Sequence, residues 1–264
     1  FLDAYDKHYK AFLALSFIIL FASIGFILFT KAQTGEYFQK GVSLKGGLTL
    51  TIPTSTADTR QIENALSTRY PEADISVRSI TEAGQLKAVI IEASDIPEDD
   101  IIPALQDQGF QLLPGTYSVE VMGSSLGQSF YKQTLIAVIL SFIFMSIVVF
   151  ITFRSLWPSL FIILAAAAEI ISTIAVVNLL GIKLSTAGVA AFLMIIGYSV
   201  DANILLTVKV LKHTGSTVYQ RTVETMRTGV LMSLTAFAAT MVGYFFIQSD
   251  IVKQIMLIIS IGLL

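Results

Sequence analysis

Asp201 is the single carboxylate in residues 192–208, an otherwise apolar run reading FLMIIGYSVDANILLTV. It stands about eight residues from the polar end of that run at Lys209, which at 1.5 Å of rise per residue is roughly 12 Å into a membrane. An unpaired charge at that depth costs about 2.5–3.5 kcal/mol on insertion scales and more in simulation. Such a side chain is therefore neutral, paired or facing water. Its neighbours favour water. Gly197 and Tyr198, four and three residues earlier, share its helical face, Asn203 adds a second polar side chain, and small residues leave room for a cavity. The chemistry these residue types support is the binding and release of a proton.

Two other ionisable residues belong with Asp201. Glu169 follows Ala165-Ala166-Ala167-Ala168, a small-residue face that lets another helix approach closely. Counted from the cytoplasmic ends of their runs, Glu169 and Asp201 differ in depth by only about 5 Å, so two carboxyls are able to share one site. The plainer alternative, nearly as strong, is a protonated Glu169 that hydrogen-bonds a neighbouring helix. Arg227 opens a later apolar run; it is either an inward-facing partner for Asp201 or a snorkelling anchor at a helix end.

The elements that must position these groups are membrane helices. Of the 264 residues 54% are apolar and 14% charged, and the mean hydropathy of +0.75 is far from that of a soluble domain. Cysteine is absent and there are two histidines, His8 and His213, which excludes a disulfide framework and a cysteine–histidine metal cluster. No G-x-x-x-x-G-K-[ST] phosphate loop occurs, so no Walker-type nucleotide site fuels the protein. The net charge of −2 and the lack of a basic patch with interleaved aromatics give no sign of nucleic-acid binding.

Residues 1–30 read as a short polar head and a first span, 11–30, too long for a signal-peptide core and without a clear cleavage site. Residues 31–133 change character and form a soluble α+β domain. Leu48, Leu50 and Ile52 alternate as a strand ended by Pro53; Asp58 caps a helix carrying Ile62, Ala65, Leu66 and Tyr70. Ile75 and Val77 mark a second strand, Glu82-Ala83-Gly84 a turn, and 86–92 a third strand. Pro97 fits the first turn of a second helix with Ile101, Ile102 and Leu105, ended at Gly109, and Tyr117, Val119 and Val121 form the last strand. The order βαββαβ is the ferredoxin-like split βαβ arrangement. With no Ser/His/Asp set or carboxylate pair at catalytic spacing standing out in it, this domain reads as an assembly or binding module.

Residues 134–264 hold five more apolar runs, near 134–153, 158–180, 186–208, 228–247 and 252–264. With the first they make six, the last of only thirteen residues, about 20 Å of helix against a core of roughly 30 Å, so the sixth span is expected to be cut short. Lys7, Lys10, Arg154, Lys209, Lys212, Arg221 and Arg227 flank one side and Lys183 and Lys253 the other. That asymmetry predicts cytoplasmic termini and an extracytoplasmic 31–133.

Several motifs carry a family resemblance. Gly41-Val42-Ser43-Leu44-Lys45-Gly46-Gly47 is similar to the G-[VI]-D-[FL]-x-G-G signature of the SecD/SecF protein-export family. Gly123-Ser124-Ser125-Leu126-Gly127 resembles its G-x-S-L-G motif before the second span, and Gly197-Tyr198-Ser199-Val200-Asp201-Ala202-Asn203 its fourth-helix motif. Met226-Arg227-Thr228 and Ser233-Leu234-Thr235 extend the match to the fifth helix. A single outer domain of about a hundred residues resembles the SecF branch. Ser43 replaces the usual Asp, so that loop is assigned no charge-dependent role. Asp-Ala-Asn replaces the Asn-Asp-Thr of bacterial SecF proteins, moving the acid about 100° around the helix and pointing to the archaeal form.

The resemblance implies an RND-like bundle of six transmembrane helices with the ferredoxin-like domain inserted. It implies a non-enzymatic auxiliary subunit of the Sec translocon that works with SecD, beside a SecYE-type channel and membrane lipid, on translocating unfolded polypeptide. Its energy would come from the proton gradient through a relay of Asp201, Arg227, Glu169, Asn203 and Tyr198, without a cofactor. Gly41, Gly46, Gly47, Gly123 and Gly127 would be hinges or tethers of the outer domain. Two other readings compete: a half-sized transporter of the resistance-nodulation-division superfamily moving lipid or a small molecule, and, remotely, an intramembrane aspartyl protease with Glu169 and Asp201 as its dyad. The protease pattern of Tyr-Asp plus Gly-x-Gly-Asp is absent from the sequence.

Overall fold

The computed structural model describes residues 2–264 apart from Glu72, Ala83, Gly84, Asp95, Gln111, Pro114, 213–217 and Gln248. His213 and most of the turn expected at Glu82-Ala83-Gly84 lie outside the described residues. In chain order the elements are α1 (Leu2–Thr34), α2 (Val42–Lys45), β1 (Gly47–Pro53), α3 (Thr59–Arg69), β2 (Ile75–Glu82), β3 (Gln85–Ala93), α4 (Glu98–Gln106) and β4 (Ser118–Met122). The helices α5 (Ser124–Phe153), α6 (Leu156–Leu179), α7 (Thr186–Lys212), α8 (Val218–Phe246) and α9 (Asp250–Leu263) complete the chain. They fall into two compact units, Phe1–Gln39 with Leu135–Leu264, and Lys40–Thr134.

The polar unit is an antiparallel sheet in the order β2-β3-β1-β4, with α3 connecting β1 to β2 and α4 connecting β3 to β4. Period-two alternation explains its core. Leu48, Leu50 and Ile52 of β1, Val89 and Ile91 of β3, and Ile75 and Val77 of β2 pack with Ile62 and Leu66 of α3 and Ile101 and Leu105 of α4. Register aligns them, Leu50 standing opposite Ile91 on one side and Val119 on the other. Each such side chain contributes about 1.5–3 kcal/mol by leaving water. Asp58 caps α3 by accepting from the N–H groups of Arg60 at 3.0 Å and Gln61 at 3.3 Å. Pro97 is itself the N-cap of α4, one position earlier than the sequence suggests, and Gly109 follows the helix with φ +93°. Tyr117 precedes β4 and packs on the core from outside the strand.

Five helices of the other unit are long and apolar enough to cross a membrane: Lys10–Thr34, Ser124–Phe153, Leu156–Leu179, Thr186–Leu211 and Tyr219–Phe246; Ile251–Leu263 is apolar but shorter. Phe17, Ile18 and Phe21 of α1 and Phe144, Val148 and Ile151 of α5 are exposed. Such continuous apolar surface is stable against lipid and a liability in water. Most of these helices outrun the apolar stretches that reveal them. α1 continues past Thr30 to Thr34, α5 starts ten residues before 134, and α8 starts at Val218 rather than at Arg227. Apolarity marks the part of a helix that lipid demands, whereas the hydrogen-bond ladder continues into water.

Candidate functional site

The bundle positions its polar groups by close packing at small residues. Ala166 of α6 is fully buried against Val149 of α5 and Val200 of α7. A Cβ added at Gly262 of α9 would lie 2.6 Å from Ile195 Cδ1 of α7, and one at Gly188 of α7 would lie 3.1 Å from Ile258 Cδ1 of α9. Polar contacts fix the same helices. The Ser260 hydroxyl donates to Thr240 Oγ1 at 2.7 Å, joining α9 to α8. Gln254 Nε2 donates to the Lys183 carbonyl at 2.6 Å, and Gln254 Oε1 pairs with the Ser185 hydroxyl. Asn178 Nδ2 donates to the Tyr37 carbonyl at 2.8 Å.

This framework sorts the five expected relay residues. Glu169 is half-buried on α6, on the side of the bundle where Ser199 of α7 lies. Ser199 is 4% exposed and accepts from Asn203 Nδ2, one turn further along, at 3.3 Å. Ser199 and Asn203 thus form a hydrogen-bonded pair on one face of α7. Tyr198 is half-buried with a hydroxyl that has no partner. Asp201 and Arg227 are both exposed. Among the described residues no hydrogen bond or ion pair joins Asp201 to Glu169 or to Arg227. Helical geometry accounts for the split: Ser199 and Val200 turn inward, and 100° per residue carries Asp201 to the outside beside exposed Gly197.

Ser199 escaped the sequence reading because serine is common in membrane helices. Its signal was the four-residue spacing to Asn203, which places both on one face. Asn203 also opens onto a groove of about 480 Å³ between α7 and α8, lined by Thr225, Met226, Gly229 and Ser233 among others. Two of these belong to the fifth-span motifs. Arg227 points to the outside instead.

The expected tether glycines also divide. Gly46 (φ +89°) and Gly47 (φ +137°) hold backbone that side chains rarely adopt, and a Cβ on them would come within 2.4 Å of Ser124 Cα and 2.3 Å of the Ala93 carbonyl oxygen respectively. Gly127 lies in α5, where a Cβ would stand 2.5 Å from Gly46 N. Gly41 is the N-cap of α2 in extended backbone, and Gly123 has open space. Three of the five are points of close approach.

A multi-span helical bundle with buried polar side chains and a four-stranded α+β unit inserted after its first helix is the architecture of an integral membrane protein. Comparison places it more closely. The pattern of the family described as protein export membrane protein SecD/SecF, C-terminal, matches residues 107–264, and the chain belongs to that family. It is 32% identical over 272 residues to "Protein-export membrane protein SecF" of Methanothermobacter thermautotrophicus, covering 100% of this chain and 89% of that one. It is 29% identical to the protein of the same description from Pyrococcus furiosus, covering 97% of this chain and 85% of that one. Among solved structures, SecDF from Thermus thermophilus, titled a translocon-associated membrane protein, superposes with a TM-score of 0.75 at 17% identity over 97% of this chain. This chain spans 35% of that one, about a third of its length.

Proposed function

We propose that this protein is an auxiliary subunit of the Sec translocase which, with a SecD-type partner beside a SecYE-type channel, promotes export of unfolded polypeptide across the cytoplasmic membrane. The observation that carries this is its similarity, over nearly the whole chain, to proteins described as protein-export membrane protein SecF. In this reading residues 251–263 belong to a sixth span, both termini are cytoplasmic, and residues 31–133 form a ferredoxin-like extracytoplasmic domain. The topology β2-β3-β1-β4 and the Lys/Arg asymmetry of the flanks support those details. The protein has no catalytic role of its own and uses the proton gradient instead of a nucleotide.

Asp201 is the titrating group that couples the gradient to movement. It is exposed and has no partner among the described residues, so in lipid it needs water or a cation from another subunit. If Arg227, or a cation of the partner, meets Asp201 in one conformation alone, protonation releases it and deprotonation recaptures it. A membrane potential supplies about 2.3 kcal/mol per charge per 100 mV, enough to bias states a few kcal/mol apart. The small-molecule transporter reading gains little from the outer unit, where a cavity of about 520 Å³ mixes the polar Thr54, Thr56, Asp58, Gln61 and Gln108 with apolar residues such as Ile52, Ile62 and Phe110. A lipid carrier would need an apolar chamber. Purification from native membrane separates the two readings: a stoichiometric SecD-like subunit is expected, and a chain that purifies alone and moves lipid would count against the export role.

A further inference from the structure

We propose that the hollow of about 520 Å³ on the polar unit binds an extended segment of unfolded polypeptide, an apolar side chain entering beside Ile52, Ile62 and Phe110 while the side-chain amides of Gln61 and Gln108 hold the backbone. The proposal rests on the export reading above and deepens it by giving a place where the exported chain is held. Three parts of the unit build the hollow. β1 ends at Pro53, and the Thr54 N–H stays tied to β3 by donating to the Lys87 carbonyl at 3.0 Å. The Thr54 hydroxyl donates to the Thr56 carbonyl at 3.1 Å, so the rim between β1 and α3 is held by its own side chain. On the far side Gly109 (φ +93°) turns the chain back after α4, and the Phe110 N–H donates to the Leu105 carbonyl at 3.2 Å. This way of ending a helix folds the next apolar residue back, and here it delivers Phe110 to the hollow.

The lining suits a polypeptide. Ile52 and Ile62 are buried and Phe110 is half-buried, which makes an apolar floor. Gln61 and Gln108 are exposed at its rim. Their backbone N–H groups are engaged, with Asp58 Oδ1 at 3.3 Å and the Leu105 carbonyl at 3.1 Å respectively, but among the described residues neither side chain makes a hydrogen bond. A carboxamide presents a donor and an acceptor side by side, the same pair as a peptide group, and so holds a backbone whatever its sequence. Charged ligands fit less well. No Lys or Arg lines the hollow, and its one carboxylate, Asp58, is occupied in capping α3. A second hollow of about 540 Å³ shares Asp58, Gln61 and Ala65 and continues past Asn64 to Thr68. Gln61 and Thr68 stand two turns apart on α3, about 10 Å, which an extended chain covers in about three residues.

The test is fluorescence anisotropy with the full chain in lipid nanodiscs, empty discs being subtracted, and three labelled peptides. The first is a glycine–serine peptide carrying leucines, the second has serine in place of each leucine, and the third is the leucine peptide methylated on its backbone nitrogens. The first should bind, and the other two should bind at least about tenfold more weakly, since one lacks the apolar side chains and the other the backbone donors. Gln61→Ala and Gln108→Ala, both at exposed positions, should each weaken binding about fivefold, the size of one hydrogen bond. Ala65→Arg, which fills the part common to both hollows, should abolish binding in protein whose thermal unfolding matches that of the native chain. Binding indifferent to the two glutamine substitutions would overturn the proposal, as would a methylated peptide that binds as tightly as the first. A chain that binds no peptide yet stimulates translocation beside its SecD-type partner would sink this proposal and leave the export reading standing. Peptide binding as described, in a chain that purifies alone and stimulates no translocation, would do the reverse.

Discussion

At the scale of single residues, two carboxyls that the sequence places at similar depth have different surroundings. Glu169 is half-buried on α6, while Asp201 has an exposed side chain one residue beyond buried Val200. A helix turning 100° per residue sends neighbours to opposite environments, so depth alone could not separate them. Asp201→Asn keeps size and polarity and removes the proton. It is expected to insert and fold as the native chain does, with export reduced to the level of cells lacking the protein. Full activity of that variant, measured by the rate at which a secreted protein is processed, would make Asp201 a packing residue. The carboxylate was legible because a charge in an apolar run is expensive. Ser199 was not, because a hydroxyl in a helix satisfies itself on the preceding turn, as Thr173 does on the Glu169 carbonyl at 2.7 Å.

At the scale of elements, the strands and helices of the polar unit were nearly all readable, since Leu48, Leu50 and Ile52 alternate and Asp58 is a capping residue by type. Helix ends in the bundle were not, because hydropathy reports lipid contact and not hydrogen bonding. The glycine motifs illustrate a second limit. Gly46, Gly47 and Gly127 look like flexible points in sequence, yet backbone of another segment fills the space a side chain would need at each. The two explanations differ in sign for Gly127→Ala. In a freely exposed helix alanine would stabilise by about 0.8–1 kcal/mol. With Gly46 N at 2.5 Å from the new Cβ, the clash is with backbone, and a net loss of about 1–3 kcal/mol is expected. Thermal unfolding of the full chain in detergent decides between them, and a stabilised variant would restore the hinge role.

At the scale of the whole molecule, the chain holds a polar unit built to stand in water and a bundle whose surface suits lipid, each with its own core. The division was plain in the sequence, because composition changes abruptly near both ends of the polar segment. How many helices cross was less plain: five have the length and apolarity, and α9 has the apolarity with 14 residues. In the proposed role this bundle turns a proton gradient into assistance for polypeptide export. Its most direct test is translocation of a preprotein into vesicles carrying the channel, the SecD-type partner and this chain, with the gradient imposed or collapsed. Adding the chain is expected to raise translocation with the gradient present and not after its collapse; stimulation of equal size without any gradient would rule out proton coupling.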